Sequence, residues 1–368
     1  MANFRAMKGE KMKYINDITE AIGNTPLLKL NKVGKGVGAN VFVKLEHLNP
    51  SGSYKDRMAL SMIEAAERGE TWNGRKLEKG GTIVEASAGN TAPALALVAA
   101  VKGYKAKFYL YRYMFEGETN SRMLITQAYG PEVAISSEPE KYIQPDLLEK
   151  LREEEPDLLD VLAAKKDCAI AEDECEKVVW VDQIYNKYNN LGQEKMAAEI
   201  FEQLDGKIDA IGCSVGAGGS LYGLCSGLAK LGVRPELTFG VVPHGTENYL
   251  HFEGEEAGQG EFEHSQASVK IAEAMKLDKW LNEKSIIENM LADGYPDRFY
   301  RVTDEEAKII ADRLCQEEGI YCGMSSGANV AIALKIAKEL GPGKNVVTTI
   351  VDRRDRYMSE APNEVYSV

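Results

Sequence analysis

A chain of 368 residues with 44 % hydrophobic and 27 % charged residues has the composition of an ordinary globular enzyme, long enough for two domains of ~150 residues each. Its formal net charge of −13 argues against nucleic acid as a partner, because that affinity comes largely from Lys and Arg on phosphates. The longest apolar run, 92–101, is about half of the ~20 residues that a membrane span needs, and the N-terminus lacks an apolar signal core, so a cytoplasmic protein away from membranes is expected.

Along the chain, short β-branched runs alternate with longer helical patterns. The runs lie at 40–44, 82–85, 107–111, 178–181, 209–213, 237–242 and 345–351, and each is mostly apolar rather than alternating, as for strands covered on both faces. Between them, 92–102 is apolar on every side and closes at Gly103, which predicts a buried helix. Thr303 with Glu306 predicts a capping box, and Ala307, Ile310, Ala311 and Leu314 give that helix one apolar face before Gly319 stops it. The alternation predicts an α/β fold with a largely parallel sheet. From Glu138 to Lys177 stand 14 acidic residues against 6 basic ones, either a solvated helical face or a docking surface for a basic partner. The six Cys form no CxxC pair and the four His no ligand spacing, so reduced thiols and no metal site are expected.

Three Gly- or Ser-rich segments fall at strand-to-helix transitions, where α/β proteins place ligands. Gly216-Ala217-Gly218-Gly219-Ser220 follows the strand ending near Cys213, and reads as a phosphate cradle at a helix N-terminus or as a plain tight turn. Glu85 to Thr91 runs into the buried helix, where Ser87, Asn90 and Thr91 offer donors for a carboxylate or phenolic oxygen, or simply cap the helix. In Asn49 to Arg57, Lys55 sits after a Pro/Gly/Ser turn at a helix start. The dipole there disfavours an ammonium and favours a nucleophilic amine, although a solvated lysine fits the spacing too.

Together these segments resemble the fold type II family of pyridoxal-phosphate enzymes, most closely its cysteine synthase and cystathionine β-synthase branch, over nearly the whole chain. Ile22-Gly23-Asn24-Thr25-Pro26-Leu27 is similar to the family's opening motif, Val43 to Glu46 and Asn49 to Arg57 to its Schiff-base lysine segment, and Gly323 to Ala328 to its pyridine-nitrogen segment. The resemblance implies two domains, each a largely parallel sheet flanked by helices: a smaller one at 47–180, and a larger one joining 1–46 to 181–368. It implies pyridoxal 5′-phosphate on Lys55, which would also move the substrate Cα proton. Gly216, Ala217, Gly218, Gly219 and Ser220 would hold the phosphate, Asn90 the ring oxygen and Ser325 the pyridine nitrogen. Ser87, Ala88, Gly89, Thr91 and Gln183 would bind the substrate carboxylate.

A neutral Ser325 leaves the ring a weaker electron sink than a carboxylate would, which favours rapid loss of a β-substituent over transamination. The implied activity is β-replacement on an activated L-serine, O-acetylserine or O-phosphoserine, with sulfide to give L-cysteine, in a cytoplasmic homodimer acting on a small amino acid. β-Elimination by a cysteine desulfhydrase or serine/threonine dehydratase stays open, as does a silent binding protein on the same scaffold, which the intact Lys55 disfavours. The departures from the family are Ala88 where cysteine synthases carry Ser, an unlike 111–122 segment, and a 251–300 span without the usual glycine pair.

Overall fold

The computed structural model describes residues 14–87, 89–111, 121–154, 156–243, 256–257, 275–277 and 283–358. Ala88, residues 112–120 of the 111–122 segment, and residues 251–255, 258–274 and 278–282 of the 251–300 span lie outside them. The chain enters through an antiparallel pair, β1 (Leu27–Lys29) and β2 (Asn40–Leu45), and then helix α1 (Lys55–Arg68). There follow β3 (Thr82–Ala86), α2 (Thr91–Lys102), β4 (Lys105–Leu110), α3 (Ser121–Ala128) and β5 (Glu132–Ile135). Helices α4 (Pro145–Glu154) and α5 (Pro156–Glu174) lead to β6 (Val178–Trp180) and α6 (Tyr188–Gln203). Next come β7 (Ala210–Ser214), α7 (Gly219–Lys230), β8 (Leu237–Pro243), β9 (Glu256–Ala257) and α8 (Ile286–Ala292). The last elements are β10 (Arg298–Val302), α9 (Asp304–Glu318), α10 (Met324–Leu340) and β11 (Asn345–Ile350).

The strands form two sheets. One has the order β5-β4-β3-β6 and is parallel throughout. The other has the order β1-β2-β11-β7-β8-β10-β9, parallel through its five central strands and antiparallel at each edge. This is the expected α/β architecture. In the larger sheet, alternate residues serve opposite cores: Val41, Ala210 and Phe239 face Ala333 and Ile336 of α10, while Ile211, Cys213 and Val347 face Leu221 and Leu224 of α7. Burial on both faces explains the continuous apolar runs of these strands. The smaller sheet buries Ile83 and Phe108 against Met58, Met62 and Leu95 of α1 and α2. Both helix-end expectations hold, since Gly103 and Gly319 close α2 and α9 with left-handed φ of 76° and 75°, and Thr303 and Glu306 form the capping box.

In the acidic segment, one face of α5 is core rather than solvated. Ala164 and Cys168 pack against Val84, Ala86 and Trp180 behind the smaller sheet. Among the described residues no helix is long and apolar enough to cross a membrane.

The β2–β11 pairing runs in register from Asn40↔Asn345 to Leu45↔Ile350, and so brings the end of β11 beside the turn that precedes α1. There Ser53 bridges to Asp352, and Tyr54 N donates to Val351 O at 3.0 Å. From the other side α1 is held by buried Arg57. Its guanidinium donates to both oxygens of Glu46, at 2.7 and 2.9 Å, and to both of Glu199, at 2.7 and 2.8 Å. Lys44 joins them, 2.7 Å from Glu199 and donating to Thr25 O at 2.6 Å.

Despite its burial, Glu199 is held down to about 2 by the hydrogen bonds and charges of Arg57 and Lys44. A carboxylate with a depressed folded value adds stability above its unfolded value and loses it as pH falls. We therefore expect stability measured by denaturant titration to fall from about pH 5 toward pH 2, with Glu199→Gln less stable at pH 7 and flatter over that window. Arg57→Ala, which strands two acids, should cost about 3–5 kcal/mol at pH 7.

Candidate active site

Lys55 is the first residue of α1, half-buried, with Tyr54 before it offering no side-chain cap. Its amine donates to Gln183 Oε1 at 3.4 Å, and the same oxygen accepts from Thr91 Oγ1 at 2.6 Å. Burial pushes the Lys55 amine down to about 8, against the pull of Glu85 and Cys213, which favour the charged form. A lysine of this value is substantially neutral near pH 8 and can accept a proton. Three residues placed by separate segments thus stand in one hydrogen-bonded row: Lys55 on α1, Thr91 on α2 and Gln183 after β6.

Simple helix capping does not describe the 85–91 segment. Asn90 is the N-cap of α2, yet its side chain makes no capping bond. Its Nδ2 instead donates to Asp352 Oδ2 at 2.5 Å, and its Oδ1 accepts from Arg356 Nη1 at 2.8 Å. The two charged partners fix which way the amide faces, leaving the second Nδ2 hydrogen available. Tyr357 also donates to Asp352 Oδ2, at 2.6 Å, while Asp352 Oδ1 is buried without a partner among the described residues. Ser87 Oγ accepts from Gly89 N at 3.2 Å. Ala88 lies outside the described residues.

The loop after β7 brings Gly216, Ala217, Gly218, Gly219 and Ser220 to the start of α7. Gly218 adopts a left-handed φ of 80°, and a Cβ on Gly219 would lie 2.2 Å from Asn189 Oδ1, so the fold itself demands both glycines. Gly216 is different. Its φ is ordinary and a Cβ there would meet nothing within 4 Å among the described residues, so their packing does not call for glycine. Open space over a bare backbone, beside a helix end without a side-chain cap, fits a phosphate group. Ser220 also reaches the Tyr54 hydroxyl, which links this loop to the Lys55 turn.

On α10 the two adjacent serines differ. Ser326 is fully buried and its hydroxyl accepts from Val351 N at 2.9 Å, so it belongs to the fold. Ser325 is half-buried on the same turn. Gly323 before it has no room for a side chain, since a Cβ would stand 2.4 Å from Asp352 Oδ1.

These positions share one feature. The N-cap residues of α1, α2, α6, α7 and α10 make no side-chain capping bond, whereas α8 and α9 carry full capping boxes. Four of these ends are linked: α1 to α7 through Tyr54 and Ser220, α1 to α2 through Gln183, and α2 to α10 through Asp352, whose carbonyl accepts from Gly323 N at 3.2 Å. Free N–H groups and positive dipole ends at one place suit an anionic ligand. Sequence reasoning missed Asp352, Arg356 and Tyr357, because no local pattern ties them to Asn90 across more than 260 positions.

Comparison with known proteins points the same way. The model of a family described as pyridoxal-phosphate dependent enzyme matches residues 18–352. A cysteine synthase 1 of Emericella nidulans is 32 % identical over 350 residues, covering 94 % of this chain and 84 % of that one. Among solved structures, a hydrogen sulfide-producing enzyme from Fusobacterium nucleatum superposes with a TM-score of 0.70 at 27 % identity, covering 94 % of this chain and 99 % of that one. An O-acetylserine dependent cystathionine β-synthase from Helicobacter pylori gives 0.70 at 26 % identity, covering 95 % and 99 %.

The contrast between the glycines gives a test of the loop. Gly216→Leu should leave unfolding stability within about 1 kcal/mol of wild type while weakening pyridoxal-phosphate affinity more than tenfold, read by dialysis and fluorescence titration. Gly219→Leu, which collides with Asn189, should lose stability as well.

Proposed function

This chain belongs to the family of pyridoxal-phosphate dependent enzymes, and we propose that it replaces the β-substituent of O-acetylserine or O-phosphoserine with sulfide, giving L-cysteine. The observation that carries this reading is the row formed by Lys55, Gln183 and Thr91, which puts a proton-accepting amine next to donors suited to an amino-acid carboxylate. The likeness to a cysteine synthase and to an O-acetylserine dependent enzyme supports the substrate class.

When bound, pyridoxal phosphate supplies an electron sink for negative charge at the Cα of a linked amino acid. Lys55 would hold the cofactor until the substrate's amine displaces it, and its freed amine would then take the Cα proton, a role helped by a value near 8. Gly216, Ala217, Gly218, Gly219 and Ser220 hold the phosphate with backbone N–H groups and one hydroxyl. Asn90, oriented by Asp352 and Arg356, donates its remaining Nδ2 hydrogen to the ring oxygen. Ser87, Gly89, Thr91 and Gln183, with Ala88 between them, orient the substrate carboxylate. Ser325 meets the pyridine nitrogen with a neutral hydroxyl. The substituent on Cβ leaves with its bonding electrons, sulfide adds at Cβ, and Lys55 returns the proton to Cα.

In the same reading the chain divides into a smaller domain at 47–180 and a larger one at 1–46 with 181–368, with the site between them. The protein is a homodimer of the cytoplasm. The exposed side chains of Tyr14, Ile15 and Ile18 offer apolar surface to a second copy, and six free cysteines suit a reducing compartment. β-Elimination is the second reading, favoured by the likeness to a hydrogen sulfide-producing enzyme.

Product analysis separates the two. With O-acetylserine or O-phosphoserine plus sulfide we expect cysteine to form faster than pyruvate and sulfide are released from cysteine alone; the reverse order would overturn β-replacement as the main reaction. Lys55→Ala should abolish turnover together with the cofactor's borohydride-fixable attachment to the chain. Ser325→Ala removes one neutral hydrogen bond, worth about 1 kcal/mol, and should lose far less turnover than Ser325→Asp, with both variants retaining cofactor.

A further inference from the structure

We infer that Lys165 is a positioning residue for the substrate loops: from helix α5 it pairs with Asp182, the buried carboxylate that closes the Gln183 turn, beside Glu85, whose carboxyl group ties that turn to the segment carrying Ser87. The inference rests on the proposed role of those segments in binding the substrate carboxylate.

All three charged side chains are out of water, Lys165 at 2 %, Glu85 at 1 % and Asp182 at 0 % exposure. Glu85 is the penultimate residue of β3, two residues before Ser87. One of its oxygens accepts from Ala86 N at 3.0 Å and the other from Gln183 N at 3.1 Å, so a single carboxylate joins the two loops. Asp182 immediately precedes Gln183 and holds a left-handed φ of 38°, a conformation that costs a non-glycine residue energy. Its Oδ1 accepts from Ile184 N at 2.9 Å, which closes the turn that aims Gln183 at Lys55 and Thr91.

Two carboxyl groups that act on each other in a site this dry cannot both carry uncompensated charge, and a cation beside one of them lowers that cost. The Lys165 amine lies 3.3 and 3.4 Å from the two Asp182 oxygens, and over the rings of Trp180 and Tyr185 at 5.3 and 5.9 Å. Burial and Asp182 together push Glu85 up to about 8, with Lys165 acting the other way. The other titratable groups facing the cluster are Cys168 and Tyr185, both pushed up by burial, and Lys55, on which Glu85 acts from the opposite side. Lys165 comes from the acidic 138–177 segment, so that segment supplies a working part of the loop scaffold.

The test uses cofactor-loaded protein and three variants: Lys165→Met, Asp182→Asn and the pair together. L-Alanine, which has no β-leaving group, is titrated through the absorbance change of the bound cofactor. Hydrogen exchange is followed at the amides of Ala86, Ser87, Gly89 and Gln183–Asn186. Lys165→Met should weaken L-alanine binding and speed exchange at these amides by about tenfold, while cofactor affinity stays within about twofold. The double variant, which restores charge balance without restoring the ion pair, should recover both to within about threefold of wild type. A Lys165→Met variant that behaves as wild type, or a double variant as impaired as the single one, overturns the inference. If Lys165→Met does not fold, the double variant is compared with Asp182→Asn alone: closer to wild type supports the inference, equal or worse overturns it. Failure of the wild-type enzyme to bind L-alanine would sink the reading of the loops, while the exchange measurement still decides the role of Lys165.

Discussion

The position of Lys55 depends on Arg57, two residues further along the same helix. A guanidinium with both Glu46 oxygens on one side and both Glu199 oxygens on the other is held on fixed directions, and its helix turns with it. Glu46 follows β2, and Glu199 belongs to α6, so the cation joins a strand of the larger sheet to a helix packed on its opposite side. Lys44 supplies the second positive charge that two buried acids require. The β2–β11 register completes the arrangement by delivering Asp352 to the Ser53 turn. Tight placement of the Lys55 amine therefore comes from charge pairing and strand register, and α1 itself adds only the direction in which the side chain leaves.

Much of this was legible in the sequence because each feature had a local cause. The seven apolar runs became strands β2, β3, β4, β6, β7, β8 and β11, since burial on both faces leaves a mark that a single short window can read. The strands that went unnoticed lack that mark. β1 has three residues and β9 two, both at sheet edges, and β5 at the edge of the smaller sheet has no fully buried residue. β10 is Arg-Phe-Tyr-Arg-Val, whose two arginines hide a strand buried in four of its five residues.

The candidate site divides along the same line. Its glycine- and serine-rich loops stand at strand ends, where the sequence puts them, because turn chemistry is local. The charged partners that orient those loops came from elsewhere: Asp352 and Arg356 for Asn90, and Lys165 for Asp182. Such pairings are properties of topology, and no spacing rule encodes them. The Lys44 and Glu46 of the Val43–Glu46 motif are intermediate cases, visible as a pattern but explained only once Arg57 and Glu199 were seen between them.

The four bare helix ends carry a thermodynamic consequence. A missing N-cap forgoes about 1 kcal/mol of helix stability, and here four helices that meet at one site forgo it together. An anion seated among those N–H groups returns part of that loss only while it stays bound, so folding and ligand occupancy become linked quantities. Apparent stability then becomes a function of free ligand concentration, and a chain made when the ligand is scarce stays longer within reach of proteases than one made when it is plentiful. Abundance of the protein would follow supply of the ligand with no dedicated regulator involved.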